Sequence, residues 1–124
     1  MASPRTELAD LLKAALPVPK RQFYAYPADV VKLNAIVVEN GDPMWELDTM
    51  GGLRVQWNLL VHAICPRSNP ASAVEWCEEI SREVLAACAG SGFWVTEAGQ
   101  PETIQVNNLD AVSVTMQVQR KMNT

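Results

Sequence analysis

Apolar and polar positions alternate most clearly between residues 53 and 65. Leu53, Val55, Trp57, Leu59, Val61, Ala63 and Cys65 alternate there with Arg54, Gln56, Asn58, Leu60, His62 and Ile64. A period of two sends successive side chains to opposite faces of a strand, so the first set is expected to face a core and the second to face outward. The outward set turns apolar toward Ile64, which predicts cover on both faces at that end, and Pro66 ends the strand. The same alternation returns near the C-terminus, with Val112, Val114, Met116 and Val118 inward and Ser113, Thr115, Gln117 and Gln119 outward.

Helical spacing occurs twice. Over residues 3 to 16, Ser3 can cap, Pro4 suits the first turn, and Leu8, Leu11, Leu12, Ala15 and Leu16 recur on one face before Pro17 and Pro19 stop the helix. A second helix starts at Asn69 and Pro70, buries Val74, Cys77, Ile80, Val84 and Cys88, and ends at Gly90. Shorter strands are expected at 22–26, 35–39, 93–95 and 103–106. The run Asn40-Gly41-Asp42-Pro43 reads as a turn that opens a long loop over residues 40–52, with Gly51-Gly52 at its end. The element order α-β-β-β-α-β-β-β predicts one α+β domain over residues 1–124. Its architecture is expected to be a largely antiparallel or mixed β-sheet with two α-helices packed on one face.

Composition changes this picture little. With 124 residues, 48% of them hydrophobic, the chain is long enough for one real core. No apolar run approaches the roughly 18 residues of a membrane-spanning helix, and Met1–Arg5 carries no apolar leader, so a soluble, non-exported chain is expected. The net charge is −4 and the basic residues are scattered, which disfavours a nucleic-acid surface. Cys77 and Cys88 fall in one helix, roughly 16 Å apart at the rise of an α-helix, too far for a disulfide. With Cys65 they read as free thiols.

Chemistry is sparse. His62 is the single histidine, and Cys65, three positions on, belongs to the opposite face of the same strand. No Cys/His spacing suits zinc, and neither a dinucleotide fingerprint nor a P-loop occurs. Glu75, Glu78, Glu79 and Glu83 lie at helical spacing without His or Asp partners and read as a solvated face. These features predict no catalytic residues, no cofactor and no metal. What stands out is Met44, Trp45 and Met50, apolar side chains in a segment expected to be a loop. Either they contact a partner, or Trp45 folds back over the core.

Tyr24-Ala25-Tyr26-Pro27, Val30-Val31, Ala35-Ile36-Val37-Val38 and Trp45, followed by the glycine-ended loop, the strand 53–65, the helix from Ala73-Val74 to Leu85 and the last alternating strand, form a recognisable order. This order resembles the tail terminator and related neck proteins of long-tailed bacteriophages. The resemblance implies a virion structural protein, assembled in the host cytoplasm, that sits in the tail and neck of the particle. It implies a homo-oligomer, a hexameric ring that caps the tail tube protein and meets the head-tail connector protein, with DNA only as cargo through the lumen. Met44, Trp45 and Met50 are the candidate assembly interface. The other readings are a different non-catalytic neck, head-closure or adaptor protein, and a small enzyme.

Overall fold

Ser3 closes the open end of the first helix: its hydroxyl accepts the Thr6 N–H at 3.3 Å, and its carbonyl accepts the Glu7 N–H at 2.9 Å. The helix it starts, α1 (Pro4–Ala15), is followed by β1 (Gln22–Tyr24), β2 (Ala35–Leu47) and β3 (Arg54–Pro66). Next come α2 (Pro70–Cys88), β4 (Phe93–Ala98), β5 (Glu102–Val106) and β6 (Leu109–Asn123). This computed structural model describes residues 3–15, 22–24, 35–47, 54–66, 70–106 and 109–123. The cap expected at Asn69 lies outside them.

The sheet runs β1-β2-β3-β6-β4, with β5 also on β6. The β1–β2 pair is parallel and every other pair is antiparallel. The longest strand, β6, organises the rest. One side of it pairs with the whole of β3, from Arg54–Asn123 to Pro66–Ala111. Its other side takes β5 along Leu109–Ser113 and β4 along Met116–Arg120. The expected α+β architecture, two helices against one face of a largely antiparallel sheet, is the one observed.

The core lies between the helices and that face. Ile36 and Val38 of β2, Leu59, Val61 and Ala63 of β3, and Val112, Val114, Met116 and Val118 of β6 are buried there. They meet Leu8, Ala9 and Leu12 of α1 and Ala73, Cys77, Ile80, Val84 and Cys88 of α2. Each large aliphatic side chain buried in this way is worth about 1.5–3 kcal/mol. The stripe on α2 differs from expectation by one residue at its start, since Ala73 is buried and Val74 is 37% exposed. The reason is angular: Ala73 lies four residues before Cys77, directly in line, and Val74 is turned about 100° away. On α1, Ala15 is likewise exposed.

Toward one end the opposite face of the sheet is also buried. Ala35, Val37, Ile64 and Ala111 form a second, smaller cluster with Ile104 against it, and Ser113 is buried beside Ala111. The apolar drift of the outward positions of β3 toward Ile64 signals this second layer. Further along the same face the side chains are mostly polar, with Leu60 partly buried among Gln56, Asn58 and His62 of β3 and Thr115, Gln117 and Gln119 of β6.

The thiols belong to the core. Cys77 and Cys88 are buried and free, and Cys77 Sγ donates to the Val112 carbonyl at 3.7 Å. Burial pushes both up to about 11, with Cys65 and Glu78 adding charge repulsion at Cys77. Cys65 is raised by burial as well. In the unfolded chain these thiols ionise near the ordinary 9.0, so the folded state holds its protons longer. Their contribution to stability is complete below about pH 9 and is lost as pH rises through about 11. Urea unfolding followed from pH 8 to 11 is expected to show the midpoint falling across that window. A Cys77→Ala/Cys88→Ala variant should show a shallower fall, and an identical slope would refute the assignment.

Candidate assembly interface

The segment 40–52, expected to be a loop, is in part a strand. β2 continues to Leu47, and Trp45, Glu46 and Leu47 pair with Trp57, Gln56 and Val55 of β3. The pairing jumps from Asn40–Leu59 to Trp45–Trp57, so the four residues Gly41 to Met44 stand opposite Asn58 alone. The turn residues therefore build a large bulge inside a long strand instead of ending it. Asn58 holds the bulge. Its Nδ2 donates to the Pro43 carbonyl and to Glu46 Oε1, both at 2.9 Å, while its Oδ1 accepts from Gln56 Nε2 at 3.1 Å. Gly41 passes so close that a Cβ there would lie 3.2 Å from the Asn58 Cβ and carbonyl oxygen, which explains a residue without a side chain.

Beyond the bulge, β2 and β3 form an arm. Trp45 is 47% exposed and Leu47 59% exposed, and Met44 in the bulge is exposed too. Pairing with Trp57 and Val55 puts Trp45 and Leu47 on the helix-bearing face of the sheet. Trp45 is thus neither on a free loop nor sealed into the core. Met50 lies outside the described residues.

A second exposed apolar site was not legible as such in the sequence. Trp94 on β4 is 54% exposed and Leu85 on α2 is 55% exposed. With Arg82, Cys88, Phe93 and Val95 they line a hollow of about 310 Å³ between the end of α2 and β4. The chain makes this junction tightly. Gly90 and Gly92 take positive φ of 73° and 93°, Ser91 N–H and Oγ both donate to the Cys88 carbonyl, and Ser91 Oγ accepts the Phe93 N–H. The signal was present in strict alternation: with Phe93 and Val95 facing the core, Trp94 between them must face away.

The two sites stand at one level of the sheet. Trp45 pairs with Trp57, Trp57 with Arg120, and Arg120 with Phe93, a single row across β2, β3, β6 and β4. Arg120 locks the row to the helices, since its guanidinium lies 4.8 Å above the Phe93 ring and forms an ion pair with Glu7 of α1. Among the described residues β1 covers only Ala35–Val37 of β2 and β4 pairs only with β6, so β2 beyond Val37 and β4 each leave one edge without a strand.

His62 is more connected than its sequence neighbours suggest. Its Nδ1 lies 2.9 Å from Thr115 Oγ1 and its Nε2 lies 2.5 Å from Glu39 Oε1. Cys65 lies on the other face, as the alternation requires. The adjacent hollow of about 360 Å³ is lined by His62 and Thr115 together with Ser113, Gln100, Glu102 and Ile104. Through its two contacts His62 ties β2, β3 and β6 together. Glu75, Glu78, Glu79 and Glu83 are exposed on α2. Among the described residues no group of three His, Cys, Asp or Glu side chains is placed to hold a metal.

Compared with protein-family models the chain matches none, and no curated protein matches it in sequence.

Proposed function

We infer that this chain is a structural subunit of a bacteriophage tail, a tail terminator that caps the tail tube as a ring and joins the tail to the head connector. The observation that carries a binding role is the pair of unlike apolar sites, Trp45 with Leu47 on the β2 arm and Trp94 with Leu85 at β4 and the end of α2. Large exposed aromatic side chains in a small soluble domain mark contact surfaces, and tryptophan is prominent among residues that dominate binding energy. A closed ring of identical subunits needs two different surfaces on each, because its interface is heterologous. The order of sequence elements that resembles terminator and neck proteins supplies the phage context. The net charge of −4 suits a ring through which DNA slides without adhering.

Light scattering over a concentration series, with electron micrographs of the same sample and of tail tubes incubated with the chain, tests this reading. The expected result is rings of about six subunits, free or seated on one end of each tube. Trp45→Ala should abolish the rings and leave the circular dichroism spectrum unchanged, because the side chain it removes is half exposed. Bare tube ends beside well-folded wild-type protein would refute the terminator role. A collapsed fold in Trp45→Ala would instead make Trp45 a core residue.

A further inference from the structure

We propose that successive subunits join edge to edge, with the β2 arm of one copy of this chain lying along β4 of the next and Trp45 entering the hollow beside Leu85. This proposal rests on the ring reading above and names the surfaces that close it.

Three observations point to a second copy as the occupant. First, the stretches of β2 and β4 that carry no further strand among the described residues lie at the same level, through the row from Trp45 to Phe93, so a neighbour displaced sideways brings one edge against the other. Second, the strand senses agree. β2 and β6 both run antiparallel to β3, and β4 runs antiparallel to β6, so β4 is antiparallel to β2. A rotation about an axis along the strands preserves their direction, and the new junction is then an ordinary antiparallel pair. An edge strand presents unpaired N–H and C=O groups, which is the usual route to such addition. Third, the two edges are complementary. The arm carries exposed Asp42 in the bulge before Trp45, and the hollow carries Arg82 beside Leu85. The arm meeting itself would set Asp42 against Asp42, whereas the arm against the hollow sets Asp42 against the Arg82 guanidinium.

The arrangement is tested by blocking one edge at a time. Trp45→Lys disables the arm and Leu85→Lys disables the hollow on the β4 edge, both at exposed positions. Sedimentation velocity on the wild-type chain should show an assembly larger than one chain. Each variant alone should sediment as a monomer. An equal mixture retains one intact arm and one intact β4 edge, so it should form dimers and nothing larger. Retained assembly in either variant, or a mixture that stays monomeric, overturns the proposal; so does a wild-type chain that is monomeric at every concentration. If a lysine variant fails to fold by circular dichroism, Asp42→Arg and Arg82→Glu take its place. Each alone should weaken association, by about tenfold for each 1.4 kcal/mol lost, and the double variant should restore it. No restoration also overturns the proposal. Edge pairing without binding to tail tubes would keep this interface and remove the phage role. Tube capping with no dimer in the mixture would do the reverse.

Discussion

Val61→Asp is expected to leave the chain without a cooperative fold at neutral pH. Val61 is fully buried at the middle of β3, with Val38 of β2 on one side and Met116 of β6 on the other, both buried as well. An unpaired carboxylate there costs several kcal/mol even after relaxation, against a total stability of about 5–15 kcal/mol for a domain of this kind. Gln117, next along β6 from Met116, is exposed on the opposite face. Gln117→Asp should therefore stay within about 0.5 kcal/mol of wild type. The pH dependence has a definite sign. Burial raises the new carboxyl group in the folded state, so the penalty is smallest below its unfolded value of about 3.9 and grows as pH rises above it. Near-ultraviolet circular dichroism and urea titration read both outcomes. A cooperative transition at pH 7 in Val61→Asp would mean that the core is not where the alternation of β3 puts it.

The second large effect concerns how α1 is held. Leu8 and Leu12 are fully buried against the sheet, while Glu7 makes a partly exposed ion pair with Arg120. Ion pairs at such exposure contribute about 0–1 kcal/mol, and deletion of a buried leucine costs about 2–5 kcal/mol, so the apolar stripe decides. Leu12→Ala should lower the urea midpoint by about 1–2 M at the slopes usual for small domains. Hydrogen exchange in α1 should accelerate before exchange in β3 and β6. Glu7→Gln should shift the midpoint by only a small fraction of that. Equal effects from the two substitutions would show that the helix is held electrostatically.

Much of the fold was legible because β3 and β6 have one strongly buried face, and a period of two then leaves little choice of register. Alternation alone puts Val55, Leu59, Val61 and Ala63 of β3 and Val112, Val114, Met116 and Val118 of β6 on the core side, and they are buried; Trp57 of the same set is only partly buried. The bulge was not legible. Asn40-Gly41-Asp42-Pro43 carries every local signal of a turn, and only the Asn58 amide, 15 positions from Pro43, shows that the strand resumes. His62 has the same explanation: Glu39 and Thr115 are 23 and 53 positions away, and nothing local announces them. Of the candidate site, Met44 and Trp45 were found because apolar residues stood among turn residues. Trp94 and Leu85 went unnoticed because apolar neighbours concealed them in stretches already assigned to buried elements.

The position of β6 has a consequence for synthesis on the ribosome. The whole inner edge of β3 waits for a strand that begins 43 residues after Pro66 and pairs Arg54 with Asn123. At a translation rate of about 5–20 residues per second, the nascent chain carries a finished β2–β3 hairpin with a bare apolar side for roughly 2–9 seconds. α2 emerges in that interval with nothing complete to pack on. Emergence of β6, rather than any earlier step, is then what commits the domain to its native state. Nascent copies crowded on one messenger meet during this interval, when the edge reserved for β6 is available to a neighbour's β6.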